Sequence, residues 1–259
     1  MLYFIVYFFT LLNSLFFTHL TFKIINSFSI GCSFDKVNSI NKPRLDIGNI
    51  SVFITFWVSV FLIISIDKQL LGILLGSTII LIMGIIDDLK KLKSITKLLV
   101  QFAVVLILIL FDIRITKIGT TRFIGNEYLS ITYLGIIFTI LWIIGIINSL
   151  ELINKSEIWI YKISLFISLL LFFVSILFNN YYISIFSIVI AGLCTGQLIY
   201  NYTFYKIKLG NAGLQFLGFI LSIVPILDTV KVNSCFQVFD NIIIFGLIFF
   251  SLFKLSNYN

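Results

Sequence analysis

Two adjacent aspartates, Asp87 and Asp88, are the residues whose type and spacing point most directly to chemistry. Neighbouring carboxylates with little hydration repel each other unless a cation or hydrogen bonds compensate them. Mg²⁺ is one such cation, because it takes one or two carboxylates and completes its shell with water and phosphate oxygens. The pair therefore predicts a site for phosphoryl chemistry. The alternative is that Asp87 caps a helix starting near Leu89, with Asp88 favoured by the helix dipole.

A second polar group contains Asn148, Glu151 and Asn154, one residue every three positions. On a helix this spacing puts the three side chains on one face, where two amides and a carboxylate would meet a ligand. Ordinary polarity at a membrane interface, together with helix capping, explains the same pattern equally well. The pattern therefore predicts either a ligand-binding helix end or a solvated one.

A third polar segment has two glycines, Gly210 and Gly213, on either side of Asn211 and Ala212. Glycine permits a tight turn and lets a phosphate approach the backbone N–H groups at the start of a helix. The simpler interpretation is that these glycines only turn the chain. The segment is a candidate phosphate-binding loop under the first interpretation and a plain connection under the second.

The elements that must position these residues are membrane-spanning helices. The 259 residues are 60% hydrophobic and 11% charged, with a mean hydropathy of +1.13, which is too apolar for the surface of a water-soluble globule. A helix crosses the bilayer core with about 20 apolar residues. The sequence predicts an all-α, polytopic bundle that forms one domain over residues 1–259. About nine spans are expected by this length criterion: Leu2–Phe22, Ile47–Ile66, Gln69–Ile86, Leu98–Phe111, Ser130–Asn148, Ile158–Phe178, Tyr182–Tyr202, Leu214–Leu227 and Phe236–Phe253.

The fourth and eighth predicted spans are short. Either they extend past Arg114 and Asp228 with those side chains snorkelling, or they are tilted or buried among neighbouring helices. The first span lacks a basic leader and a small-residue cleavage site, so we expect it to be retained. Lys and Arg are distributed between the two alternating sets of loops as roughly 12 against 5. This bias predicts an outside N-terminus, a cytoplasmic C-terminus and all the polar segments on the cytoplasmic side.

The net charge of +7 is explained by this bias and by attraction to anionic lipid headgroups. Nucleic-acid binding is not indicated, because no basic cluster interleaved with aromatic residues stands clear of the membrane. The cysteines Cys32, Cys194 and Cys235 have neither a metal-like spacing nor a disulfide framework.

Taken in this order, the polar segments resemble the polyprenyl-phosphate N-acetylhexosamine-1-phosphate transferases, the membrane glycosyltransferase family 4. The stretch Gly84–Leu92 is similar to the family's aspartate-pair motif, and Gln101 is similar to a position in its next helix. Residues 43–45 resemble the proline-bearing first cytoplasmic loop, and residues 141–148 resemble the approach to the asparagine and aspartate motif. The resemblance covers most of the chain.

The sequence departs from the family pattern in the asparagine and aspartate motif. Glu151 stands where a second asparagine is expected, Asn154 replaces an aspartate, and Glu157 conservatively replaces the next aspartate. The histidine-rich loop of the family is also missing from this sequence, in which His19 is the only histidine.

A further departure lies in the third polar segment. Asn201 and residues 206–210 resemble the approach to the family's glycine-aspartate-glycine-serine motif, but Asn211 replaces the metal-binding aspartate and Leu214 the serine. An asparagine carbonyl can still ligate Mg²⁺, but it lacks the charge that offsets desolvation of the metal ion.

The resemblance implies a reaction in which a sugar 1-phosphate moves from a UDP-sugar to polyprenyl phosphate and UMP is released. The product would serve the synthesis of peptidoglycan, teichoic acid or lipopolysaccharide. Asp87 and Asp88 would be catalytic, and Mg²⁺ would be held by Asp88 and Asn211. The expected substrate-binding residues are Asn148, Glu151, Asn154, Glu157, Asn201, Gly210 and Gly213.

The partners expected from the resemblance are the UDP-sugar donor, the polyprenyl phosphate, the membrane and a second copy in a homodimer, without nucleic acid. The expected location is a bacterial-type inner (plasma) membrane. Two alternatives stay open: a catalytically eroded relative that serves as a membrane partner or lipid-binding protein, and a transporter. The transporter alternative is the weaker, because the sequence has no convincing internal repeat.

Overall fold

The protein is a bundle of hydrophobic helices. The computed structural model of the chain describes residues 1–27, 48–115, 117–118, 129–130, 132–152, 157–177, 179–204 and 209–231. The described helices are α1 Leu2–Ser27, α2 Gly48–Ile63, α3 Lys68–Leu89, α4 Ser94–Leu110, α5 Thr132–Leu152, α6 Glu157–Leu177, α7 Tyr181–Thr203 and α8 Gly210–Lys231. Between α4 and α5, strands β1 Lys117–Ile118 and β2 Leu129–Ser130 pair antiparallel, with Lys117 opposite Ser130.

Eight of the nine predicted spans correspond to these helices, and the ninth, Phe236–Phe253, lies outside the described residues. Among the described helices, α1, α3, α5, α6, α7 and α8 are long and apolar enough to cross a membrane, while α2 and α4 are shorter apolar helices. The chain is therefore a helical, multi-pass membrane protein. The fourth helix ends at Leu110 and does not extend past Arg114, whereas α8 continues past Asp228 to Lys231 and is largely buried among its neighbours.

The helices α7 and α8 form the centre of the bundle. Of the most apolar 18-residue window in each helix, 89% is buried in α8 and 78% in α7, but only 28% in α1. The central helix α8 packs against α3, α5 and α2, and α7 packs against α6 and α1. Large apolar side chains exposed on the outer helices, such as Phe4, Leu12 and Phe166, suit contact with lipid.

The two adjacent aspartates lie in the last turn of α3, which corrects the capping alternative. The helix continues through Asp87 and Asp88 to Leu89, and the next helix begins only at Ser94, so Asp87 does not cap a helix starting near Leu89. The negative end of a helix dipole disfavours carboxylates at this position. Partners from other helices must therefore compensate the two charges.

Candidate active site

Five side chains from four helices meet at one end of the bundle. They are Asp87 and Asp88 of α3, Lys97 of α4, Glu151 of α5 and Asn211 of α8, and together they are called the polar cluster. More than 120 positions separate the aspartates from Asn211, so only the packing of α3 against α8 brings them together.

Asp88 and Asn49 jointly cap the N-terminus of α8. The carboxylate of Asp88 accepts the backbone N–H of Asn211 at 2.8 Å and that of Ala212 at 3.3 Å. Asn49 donates its side-chain amide to Asp88 at 2.9 Å and accepts the N–H of Gly213 at 2.8 Å. Three of the first N–H groups of α8, which no helix can satisfy internally, thus find acceptors on α3 and α2.

Asp87 is the most deeply buried carboxylate of the polar cluster, with 2% of its surface exposed. Its Oδ1 accepts the backbone N–H of Leu92 at 2.8 Å. Its Oδ2 accepts the side-chain amide of Asn211 at 2.9 Å and lies 2.7 Å from Nζ of Lys97. A charged donor and two neutral donors therefore offset both the burial of Asp87 and the helix dipole.

Lys97 connects Asp87 to α5. Its Nζ lies 2.6 Å from Oε1 of Glu151, so one ammonium bridges two carboxylates on different helices. The second carboxylate oxygen of Glu151 accepts a long 3.4 Å hydrogen bond from the amide of Gln215. Since Gln215 follows Asn211 by four residues, the two side chains share one face of α8.

A second polar layer lies one helical turn further along these helices. Asn148, three residues before Glu151, donates its amide to Oε1 of Gln101 at 2.9 Å and to the carbonyl of Ile144 at 2.7 Å. Gln101 and Gln215 are both fully buried. Nε2 of Gln101 and Oε1 of Gln215 have no hydrogen-bond partner among the described residues.

The close approach of α3 and α8 depends on Gly84. A Cβ at this position would collide with the backbone Cα of Ala212. Gly84 lies one turn before Asp87 and Asp88, and Ala212 immediately follows Asn211. The glycine thus allows the contact that brings the two aspartates to the start of α8.

Comparison with known proteins shows the family of the chain. The profile of glycosyl transferase family 4 matches residues 70–228, which is more than half of the chain. The chain belongs to glycosyl transferase family 4. All five residues of the polar cluster lie inside the matched region, and the family resemblance noted in the sequence is confirmed.

Two curated relatives have related names. A Bacillus subtilis (strain 168) protein described as probable undecaprenyl-phosphate N-acetylglucosaminyl 1-phosphate transferase is 26% identical over 213 residues, covering 82% of this chain and 58% of that protein. A phospho-N-acetylmuramoyl-pentapeptide-transferase of Leuconostoc mesenteroides is 32% identical over 152 residues, covering 55% of this chain and 47% of that protein. The family member described here thus spans about half the length of these relatives.

The structure brings together part of the residue set predicted from the sequence. Asp87, Asp88, Glu151 and Asn211 meet in the polar cluster, and Gly213 donates its N–H to Asn49 at its edge. Gly210 begins α8 with a positive φ of 61°, a conformation that glycine adopts without strain, and Asn148 lies in the second polar layer.

The other predicted substrate-binding residues are not placed in the polar cluster. Asn201 donates its amide to the carbonyl of Gln197 in its own helix. Asn154 lies outside the described residues, and Glu157 begins α6 with its side chain outside the described part of the structure. Their roles in binding stay predictions.

Sequence reasoning missed three members of this network, Asn49, Lys97 and Gln215. For Lys97 a signal was available, because it precedes Gln101 by four residues and therefore shares its helix face. For Asn49, nothing in the local sequence indicates that it pairs with residues on α3 and α8.

The residues expected to hold Mg²⁺ do not fit that ion as they are arranged. Both oxygens of Asp88 already accept N–H groups, and Asn211 directs its amide nitrogen, not its carbonyl, towards Asp87. Mg²⁺ requires oxygen ligands in near-octahedral geometry. In the described part of the chain, no group of three or more His, Cys, Asp or Glu side chains is arranged to hold a metal ion.

Proposed function

We propose that this family 4 protein transfers a sugar 1-phosphate from a UDP-sugar to a polyprenyl phosphate and releases UMP, in the synthesis of a cell-envelope glycan. The observation that carries the proposal is the polar cluster, in which segments of α3, α4, α5 and α8 converge inside the region matched by the family. The names of the two curated relatives support the same reaction class.

The proposed reaction is a phosphoryl transfer between two phosphates. An oxygen of the polyprenyl phosphate attacks the phosphorus that carries the sugar, and the bond from that phosphorus to the leaving UMP oxygen breaks. Charge develops on the oxygens around the transferred phosphorus, where a positioned cation stabilises the transition state. Lys97 is the cation of the polar cluster, and Asp87 and Asp88 would orient the acceptor phosphate.

The proposal includes an orientation. With nine spans and more Lys and Arg in one set of loops, the N-terminus would lie outside and the polar cluster on the cytoplasmic side of a bacterial-type inner membrane. Soluble nucleotide-sugars are found on that side, whereas the lipid acceptor lies in the membrane. A cluster at the cytoplasmic membrane surface would meet both substrates.

The test measures UMP release from membranes that contain the protein and are given UDP-GlcNAc and undecaprenyl phosphate. It is run with and without Mg²⁺, because a requirement for Mg²⁺ is a prediction from the resemblance. We expect Asp88→Ala to lower the rate by about 100-fold or more, the range for loss of one preorganised electrostatic group. Asp112→Ala, at the opposite end of α3 and α4, is the matched control and should keep the rate. If the unmodified protein releases no more UMP than Asp88→Ala, the proposed reaction is wrong for these substrates.

A second candidate function is that of a catalytically eroded relative that serves as a membrane partner or a lipid-binding protein. The observation that favours it is the saturation of the polar cluster, where N–H groups of the protein already donate to every oxygen of Asp87 and Asp88. The discriminating variant combines Asn211→Asp with Asn154→Asp. If the double variant releases UMP and the unmodified protein does not, the protein is a catalytically eroded relative. Turnover by the unmodified protein would exclude this second function.

A further inference from the structure

We infer that Lys97 is a built-in counter-cation that takes the place of a divalent metal ion in the polar cluster. The inference goes beyond the proposed function, because it concerns what compensates the carboxylates whether or not the protein turns over. It rests on the position of Lys97, on the donors to each carboxylate oxygen and on the identity of residue 211.

Lys97 lies where a bridging cation would lie. Its Nζ is 2.7 Å from Oδ2 of Asp87 and 2.6 Å from Oε1 of Glu151, and its side chain is only 15% exposed. A cation of the protein's own chain loses no translational freedom on binding, whereas Mg²⁺ must also give up tightly held water. The ammonium therefore holds a competitive advantage over a free metal ion at this position.

The carboxylate oxygens of the polar cluster all have N–H donors. Asp87 accepts hydrogen bonds from the backbone N–H of Leu92 and the side-chain amide of Asn211, in addition to its ion pair with Lys97. The two oxygens of Asp88 receive two backbone N–H groups of α8 and the amide of Asn49. A metal ion would have to displace donors that are already desolvated and in hydrogen-bond contact, at a cost in free energy for each group left unpaired.

The identity of residue 211 determines whether the ammonium of Lys97 is enough to compensate the carboxylates of the polar cluster. The amide nitrogen of Asn211 must face Asp87, since the opposite amide orientation would place two oxygens 2.9 Å apart. An aspartate at this position would bring a second carboxylate against Asp87, and the repulsion would require a further cation. Asn211 removes that requirement and leaves Lys97 as the cation between α3, α4 and α5.

The test measures metal binding directly, with Mn²⁺ as the spectroscopic probe and Mg²⁺ as the competitor. The full chain is purified in nanodiscs, and electron paramagnetic resonance reports free Mn²⁺ against empty nanodiscs. The variant Lys97→Met/Glu151→Gln removes the bridge without changing net charge, and Lys93→Met controls for the loss of an exposed lysine. We expect only weak, nonspecific Mn²⁺ binding to the unmodified protein and to Lys93→Met. The bridge variant should bind Mn²⁺ at least about tenfold more tightly than that nonspecific level.

A second variant keeps the inference testable if the bridge variant does not fold. Asn211→Asp retains Lys97, adds a carboxylate beside Asp87, and should acquire Mn²⁺ binding that Mg²⁺ competes away. One Mn²⁺ bound by the unmodified protein and lost in Asp88→Asn would overturn the inference, as would folded variants that gain no binding. A protein that binds no Mn²⁺ and releases no UMP would contradict the proposed reaction but leave the inference intact.

Discussion

Helices α3 and α4 are joined by a lysine–aspartate ion pair at each end. At one end, Nζ of Lys68 lies 2.6 Å from Asp112, and the two side chains are 61% and 60% exposed. At the other end, Nζ of Lys97 lies 2.7 Å from Asp87, with exposures of 15% and 2%. The helices, residue types and distances are nearly the same, so the two pairs differ in their burial and in the further partners of the buried pair.

The difference in burial determines what each ion pair contributes to stability and to the geometry of the site. Water and salt screen the exposed pair, and such pairs contribute little to stability because the separated charges are well solvated. The buried pair cannot separate without leaving a charge in a dry environment, and Glu151 makes Lys97 part of a network over three helices. The exposed pair only joins two helices, whereas the buried one fixes the geometry of the polar cluster.

The largest expected effect comes from removing the buried ammonium. Lys97→Met leaves Asp87 and Glu151 without their shared cation and should lower the free energy of unfolding by about 3–5 kcal/mol. Lys68→Met, the matched change at the exposed end, should have no measurable effect. Denaturant titration of both variants in mixed micelles checks the comparison. If both variants lose the same free energy of unfolding, burial does not make the Lys97–Asp87 pair contribute more than the Lys68–Asp112 pair.

The next effect concerns the contact that buries the polar cluster. Gly84→Ala should force α3 and α8 apart, because its Cβ meets backbone at Ala212, and should cost about 1–3 kcal/mol, as overpacking does. Gly145→Ala is the matched control in α5, where a Cβ meets nothing within 4 Å. The same titration, with UMP release per folded molecule, measures both. A Gly84→Ala protein as stable and active as Gly145→Ala would show that the approach is not tight.

A smaller effect is expected at the cap of α8. Asn49→Leu removes the acceptor of the Gly213 N–H and one donor to Asp88, a loss of about 1–2 kcal/mol, typical of a helix cap. Hydrogen exchange at the Gly213 amide should accelerate more than exchange at amides in the middle of α8. Asn49→Asp retains the acceptor but opposes two carboxylates, so faster exchange than in Asn49→Leu would show that charge repulsion dominates.

The helices could be predicted from the sequence because lipid requires long apolar runs with internally paired backbones. The starts of two helices were placed four residues late. Helix α4 begins at Ser94 where Leu98 was predicted, and α8 at Gly210 where Leu214 was predicted. In both cases a hydropathy window excludes the polar residues of the first turn, which are the ones that build the polar cluster.

The site itself was only partly predictable. Asp87, Asp88 and Asn211 were identified from short motifs, but the pairing of Lys97 with Glu151 joins residues 54 positions apart. Such a pair depends on how helices pack, and no local pattern encodes it. The same limit explains the wrong capping alternative for Asp87, since whether α3 stops before or after the aspartates depends on Lys97 of α4 and Asn211 of α8.

The smallest expected effect concerns the pKa of Asp112 in the exposed Lys68–Asp112 pair. The hydrogen bond and charge of Lys68 lower the pKa of Asp112 below the ordinary aspartate value. The sign follows from the charged form being favoured: any stabilisation is present above the ordinary pKa and is lost as pH falls through the lowered one. Carboxyl NMR titration should show the pKa of Asp112 rising in Lys68→Met and in high salt, with the unfolding free energy unchanged near neutral pH. If the pKa of Asp112 is insensitive to both changes, the Lys68–Asp112 contact does not persist in solution. The exposed pair could then not be compared with the buried pair.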